Sequence, residues 1–133
     1  MSETNRAAVE ALLEKARTAL SDAHLLVERG SPEAAINRSY YAAFSAARAA
    51  LQLESESPST HAGVIRRFGY HYVRTGRIAQ AIGEILTVAE AMRNRADYEA
   101  FTTFDHEAAS DLAADTRRFV EAVETLCETE LDA

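Results

Sequence analysis

At 133 residues, with 47% hydrophobic and 26% charged residues, the chain has the composition of one globular domain spanning 1–133, which excludes wholesale disorder. No apolar run approaches the ~18 residues of a membrane span, the polar start Met1–Asn5 lacks the order of a signal peptide, and the lone Cys127 has no partner for an internal disulfide. A cytoplasmic protein without membrane contact is therefore expected, and its formal net charge of −7 opposes indiscriminate binding to nucleic acid.

The first predicted helix runs from about Asn5 to Arg29, with Val9, Leu12, Leu13, Ala16, Leu20, Ala23 and Val27 on one stripe. Gly30 supplies a stop, and Ser31-Pro32-Glu33 supplies a start, with a hydroxyl cap, a proline at the first position and an acid in the first turn. Two long helices joined by so short a turn must lie antiparallel. The second helix, about Pro32 to Glu54, puts Ile36, Tyr40, Ala43, Phe44, Ala47 and Leu51 on one face, and its many alanines permit a neighbour to approach closely. After a polar loop at 55–59, a third helix is expected from about Thr60 to Thr75, burying Val64, Ile65, Phe68 and Tyr72 before Gly76 stops it. The fourth, about Arg77 to Asp97, carries Ile78, Ile82, Ile85, Ala89 and Met92. Gly69 and Gly83 lie inside these helices, where each costs about 1 kcal/mol against alanine, and close helix crossing would account for them. Tyr98 to Phe104 is aromatic and poorly periodic, so it reads as a loop packed on the bundle. A last helix from about Asp105 to Glu130 buries Leu112, Phe119, Val123 and Leu126. With no strand pattern and no repeat, the fold class is all-α, an antiparallel up-and-down bundle of about five helices.

Charge is distributed unevenly along this chain. Between Arg66 and Arg95 the balance is +4, carried by arginines 66, 67, 74, 77, 93 and 95, whereas from Asp97 to Ala133 it is −9. One region can therefore meet an anion although the whole is acidic; the plainer reading is that both are solvated helix faces. His24, His61, His71 and His106 have no zinc-type spacing and no Glu-x-x-His occurs, so no metal or other cofactor is expected. His61, near the start of a helix, reads as a capping residue, and Cys127 as a small packing residue. A phosphate-cradling glycine loop is absent, and no short helix pair ends in a basic recognition helix.

Two runs carry a resemblance. The first is Asn37-Arg38-Ser39-Tyr40-Tyr41-Ala42-Ala43-Phe44-Ser45-Ala46-Ala47-Arg48-Ala49-Ala50-Leu51, and the second is Arg93-Asn94-Arg95-Ala96-Asp97-Tyr98. Between them lie His61-Ala62-Gly63-Val64-Ile65 and then Phe68. In that order and separation the chain resembles the small stand-alone HEPN proteins of bacteria and archaea, from about Glu10 to Val123. The resemblance implies a homodimeric helical bundle, often encoded beside a small nucleotidyltransferase partner in toxin–antitoxin pairs, and a nucleotide- or RNA-binding site. Many HEPN proteins are metal-independent endoribonucleases whose motif is an arginine, an adjacent polar residue, and a histidine four to six residues further along. Such an arginine holds the scissile phosphate with both arms of its guanidinium, and the histidine moves protons to or from ribose oxygens.

In this chain Arg93 and Asn94 match the start of that motif, but the histidine positions hold Tyr98, Glu99 and Ala100. Tyrosine, with a pKa near about 10, is a poor base at neutral pH. His106 lies too far along the sequence to be the motif's histidine, unless the fold or a dimer partner brings it near. The resemblance thus leaves two expectations: a catalytic pair Arg93 and Asn94, or an inactive scaffold that dimerises and binds a protein partner. For Arg93 and Asp97, four residues apart, the choice is between an intrahelical ion pair and an arginine oriented to hold phosphate. The pair runs in the weaker basic-first order, and an acid near a helix C-terminus opposes the macrodipole. Tyr40 shares the apolar stripe and is expected in the core with its hydroxyl paired. Arg38 and Tyr41 either line a groove or subunit contact or decorate the surface. Tyr98 is buried, touches nucleotide, or accepts the adenylyl group that partner enzymes place on a tyrosine in some related toxins. The nucleotide-binding set is then Arg93, Asp97, Tyr98, Arg38 and Tyr41, with the Arg93 guanidinium expected to open from a helix end into an anion-accepting cleft.

Overall fold

The computed structural model describes residues 1–133 and contains five α-helices and no strand. Helix α1 (Glu3–Glu28) begins on Ser2, whose hydroxyl accepts from Asn5 N at 3.0 Å, and ends at Gly30, which adopts φ +76 where a side chain would be strained. Helix α2 (Pro32–Gln52) starts without the expected hydroxyl cap. Ser31 makes no side-chain cap bond; its carbonyl accepts from Ala35 N, and Pro32 has no N–H to satisfy.

All six predicted face residues of α2 are buried, but so are Ala35, Ala42, Ala46, Ala49 and Ala50. This helix is therefore the central post of the bundle rather than an amphipathic wall. α1, α3 (His61–Phe68), α4 (Gln80–Tyr98) and α5 (His106–Leu131) all pack on it, and the small side chains let them approach from several sides. The rings of Phe68, Tyr72 and Phe119 fill the space between α3 and α5, with Phe68–Phe119 centroids 5.3 Å apart. Each fully buried side chain of this size contributes about 1.5–3 kcal/mol. One continuous core of 30 buried residues draws on every helix.

The third predicted helix is divided. Helix α3 covers His61–Phe68, capped by the Thr60 hydroxyl on Gly63 N at 2.9 Å, and a π-helical turn follows at Gly69–Val73, closed by Arg74 N donating to Gly69 O at 2.9 Å. His61 is thus not the capping residue. After the turn at Gly76 (φ +78) the chain does not re-enter a helix at Arg77. Ile78 first plugs the core, its N–H donating to Tyr72 O, and α4 (Gln80–Tyr98) begins three residues later than expected. Gly83 has the close crossing foreseen for it: a Cβ there would lie 2.5 Å from Val73 Cγ2. Gly69 does not, since nothing lies within 4 Å of its would-be Cβ.

Of the aromatic segment before α5 (His106–Leu131), only Phe104 packs on the bundle; Phe101 is 99% and Tyr98 74% exposed. No helix is long and apolar enough to cross a membrane.

Candidate functional site

Helices α2 and α4 lie side by side, and their facing turns carry the predicted site. Asn37, Arg38 and Tyr41 belong to α2; Arg93, Asn94, Asp97 and Tyr98 form the last turns of α4. On both helices the polar residues recur at spacings of three or four, so each set projects from one side.

The contacts form a closed circuit. Arg93 Nη2 donates to the Tyr41 hydroxyl at 3.3 Å, and Nη1 donates to Asn94 Oδ1 at 3.2 Å. Its Nε lies 3.0 Å from Asp97 Oδ2, close enough for an ion pair but out of line for a hydrogen bond. Asn37 Nδ2 donates to the same Asp97 oxygen at 3.3 Å, while Asn37 Oδ1 accepts from Arg38 Nε and Nη2 at 3.1 and 2.8 Å. Arg38 returns to the start, its guanidinium 5.0 Å above the centre of the Tyr41 ring. The Arg93 guanidinium lies 5.6 to 5.7 Å from the rings of Tyr40, Tyr41 and Tyr98. The ion pair that helix energetics favoured only weakly is therefore present, and contacts from α2 hold both of its partners. The expectation of an open Arg93 needs correction: its side chain is only 17% exposed, because Tyr41 and Asp97 cover it.

Arg38 takes the open position instead. It borders two surface hollows: one of about 360 Å³ shared with Asn37 and Asp97, and one of about 480 Å³ shared with Lys15, Thr18 and Tyr41. Three arginines are partly buried: Arg38, Arg67 and Arg93. Arg67 pairs with Glu56 and Arg93 with Asp97, whereas no carboxylate lies within ion-pairing distance of Arg38. A guanidinium over a ring and in no ion pair, although Glu14, Asp22 and Glu33 line the same hollows, is the group here best prepared to meet an anion.

Beneath this circuit, fully buried Tyr40 shares a hydrogen bond of 2.6 Å with His61 Nδ1. Burial foremost, then the nearby charge of Glu90, pushes the Tyr40 phenol far above its usual range, with Arg93 opposing. The phenol thus stays protonated, and the direction of its hydrogen bond with Nδ1 follows the His61 tautomer. His61 also stacks on Phe44 with centroids 4.1 Å apart. Sequence reasoning did not assign Asn37 or His61 to the site. Asn37 could have been found, since it stands one turn before Tyr41 on the same side of α2. The His61–Tyr40 contact joins two helices and has no signature along the chain. His106 is exposed at the start of α5 and is not part of the circuit. No three His, Cys, Asp or Glu side chains are grouped so as to hold a metal ion.

The fold and site together define a small helical bundle with an arginine-rich polar circuit between its second and fourth helices. The profile of the HEPN domain matches residues 9–126, and the chain belongs to the HEPN family. It is 38% identical to the protein named "Putative toxin MJ0605" from Methanocaldococcus jannaschii, over 79% of this chain and 78% of that one. It is 32% identical to a UPF0332 protein of Thermotoga maritima, over 86% of each chain. A UPF0332 protein of Pyrococcus horikoshii is 46% identical over 51% of this chain and 48% of its own length.

Proposed function

We propose that this HEPN protein is toxin-like and binds nucleotide or RNA on the α2–α4 face, as a homodimer working with a nucleotidyltransferase partner in a toxin–antitoxin or defence system. The observation that carries the reading is Arg38, partly buried, stacked on Tyr41 and without an acidic partner. Planar guanidinium groups match phosphate with two parallel hydrogen bonds, and Tyr41 and Tyr98 offer rings on which a base can stack. The name of the M. jannaschii relative supports the toxin-like part. The test is the binding of a labelled RNA and of a mononucleotide, measured by fluorescence anisotropy for wild type and Arg38→Ala. Loss of at least tenfold in affinity is expected for the variant; equal affinity would remove the α2–α4 face from consideration.

Whether the site also cuts RNA divides two versions of this proposal. The inactive version is favoured by Asp97, which neutralises Arg93, and by Tyr98, Glu99 and Ala100 at the positions where the family motif has histidine. In the active version Arg93 and Asn94 act on the phosphate. Incubating labelled RNA in EDTA with wild type and Arg93→Ala separates them: cleavage lost in the variant supports the nuclease. Equal background from both, with a stable protein partner co-purifying, supports the scaffold.

A further inference from the structure

The six arginines between positions 66 and 95 are not equivalent once folded. Arg67 is gripped by Glu56, with Nε to Oε1 at 2.7 Å and Nη2 to Oε2 at 3.0 Å. Arg77 is tied to Glu54 and Glu130, Arg93 to Asp97, and Arg95 to Glu99 at 3.3 Å. Arg66 and Arg74 have no carboxylate within ion-pairing distance, and both are exposed. The uncompensated part of the basic stretch is therefore one patch on α3 and the π-helical turn, away from the Arg93 circuit.

Tyr70 stands at the centre of this patch, four residues after Arg66 and four before Arg74, and is 46% exposed. The Arg74 guanidinium lies 4.2 Å from the centre of its ring and that of Arg67 4.6 Å. Arg74 Nε donates to the Tyr70 carbonyl at 3.3 Å, which pins the base of the guanidinium and leaves both terminal nitrogens free. The π-helical turn creates this arrangement: the Arg74 N–H reaches back five residues to Gly69 instead of four to Tyr70, so the Tyr70 carbonyl is free to receive the side chain. Such turns are rare and recur at functional sites. Cations near the end of a helical segment also favour its dipole, but that effect requires neither an exposed tyrosine nor the stacking.

We propose that Arg66, Tyr70 and Arg74 form a second anion site, which holds the phosphodiester backbone of single-stranded RNA. An ideal α-helical rise over the eight residues from Arg66 to Arg74 separates their backbones by about 12 Å, which gives two long side chains the reach to engage separate phosphates of an extended strand. A preformed arginine–aromatic contact suits a sequence-tolerant grip on RNA. The proposal rests on the reading that RNA is a ligand, but not on the α2–α4 face.

The test is anisotropy of a short fluorescein-labelled single-stranded RNA titrated with the intact protein at several salt concentrations. Each phosphate contact on a single strand contributes about 0.7 to the slope of log K against log salt, so R66S/R74S should flatten that slope by about 1.4. Its affinity at about 0.1 M salt should fall roughly tenfold. Arg95→Ser, which removes an arginine already paired, should leave the slope unchanged. Tyr70→Ala, which keeps both charges but releases Arg74 from the ring, should weaken binding without changing the slope. A wild-type slope in R66S/R74S overturns the proposal. Displacement of the RNA by an oligoglutamate peptide at equal concentration also overturns it, by assigning the patch to an acidic protein. RNA binding that depends on Arg38 and not on Arg66 and Arg74 overturns this proposal and leaves the α2–α4 reading standing; the reverse pattern does the opposite. No RNA binding by the wild type removes both.

Discussion

Gly69 and Gly83 offer the same chemical change in two surroundings, and the structure predicts opposite outcomes. Both have helical backbone settings, so alanine gains up to about 1 kcal/mol of helix propensity at each. At Gly69 nothing lies within 4 Å of the added methyl, and Gly69→Ala should keep most of that gain, about 0.5–1 kcal/mol. At Gly83 the methyl would lie 2.5 Å from Val73 Cγ2, far inside contact distance. Valine is β-branched and cannot rotate away cheaply, and overpacking of this kind costs about 1–3 kcal/mol. The net effect of Gly83→Ala is a loss of about 1 kcal/mol. For 133 residues the entropy of unfolding is about 0.28 kcal/mol/K, so 1 kcal/mol moves Tm by about 3–4 °C. Thermal unfolding followed by circular dichroism at one protein concentration should place the two variants about 5–7 °C apart, on either side of wild type. Adding Val73→Ala to Gly83→Ala should recover part of the loss, a coupling seen only between touching groups. If both glycine variants raise Tm, or Val73→Ala brings no relief, the close crossing of α4 over the π-helical turn is not what Gly83 serves.

Three further outcomes are expected. Asp97→Asn releases the Arg93 charge while keeping the amide partner Asn37 within reach, so RNA affinity should rise by about fivefold, corresponding to about 1 kcal/mol for a partly exposed pair; an unchanged or weaker affinity would contradict the neutralising role of Asp97. The Arg67 guanidinium foremost, and then His71, hold the Glu56 carboxyl down to about 2. A depressed carboxylate contributes stability above its unfolded pKa and loses it as pH falls through the folded one. The stability advantage of wild type over Glu56→Gln should therefore be full at pH 6 and shrink between about pH 4.5 and 2, as read from urea midpoints. Burial, ahead of neighbouring glutamates, pushes the Cys127 thiol up to about 12. A thiol reagent at pH 8 should label native protein at least a hundredfold more slowly than unfolded protein; comparable rates would mean that α5 opens readily.

Helices and turns were legible along the chain because their signals are local. Period 3.6 in α1, α2 and α5 and the stops at Gly30 and Gly76 all depend on neighbours within a few residues. The start of α4 was misjudged for a reason that no local pattern carries: Ile78 is drawn into the core before the helix begins. The same holds for α2, whose alanines read as one face but serve a helix enclosed on several sides.

The amino-acid sequence by itself determined that this chain is an all-α HEPN bundle, and it picked out Arg38, Tyr41, Arg93, Asn94, Asp97 and Tyr98 as residues that belong together. Tertiary structure alone decided which of these charges are spent and which are free. A count along the chain credits every arginine equally, but an ion pair forms wherever folding brings a carboxylate within reach. That is why Arg93 is covered and compensated, while Arg38 and the Arg66–Arg74 patch keep their charge.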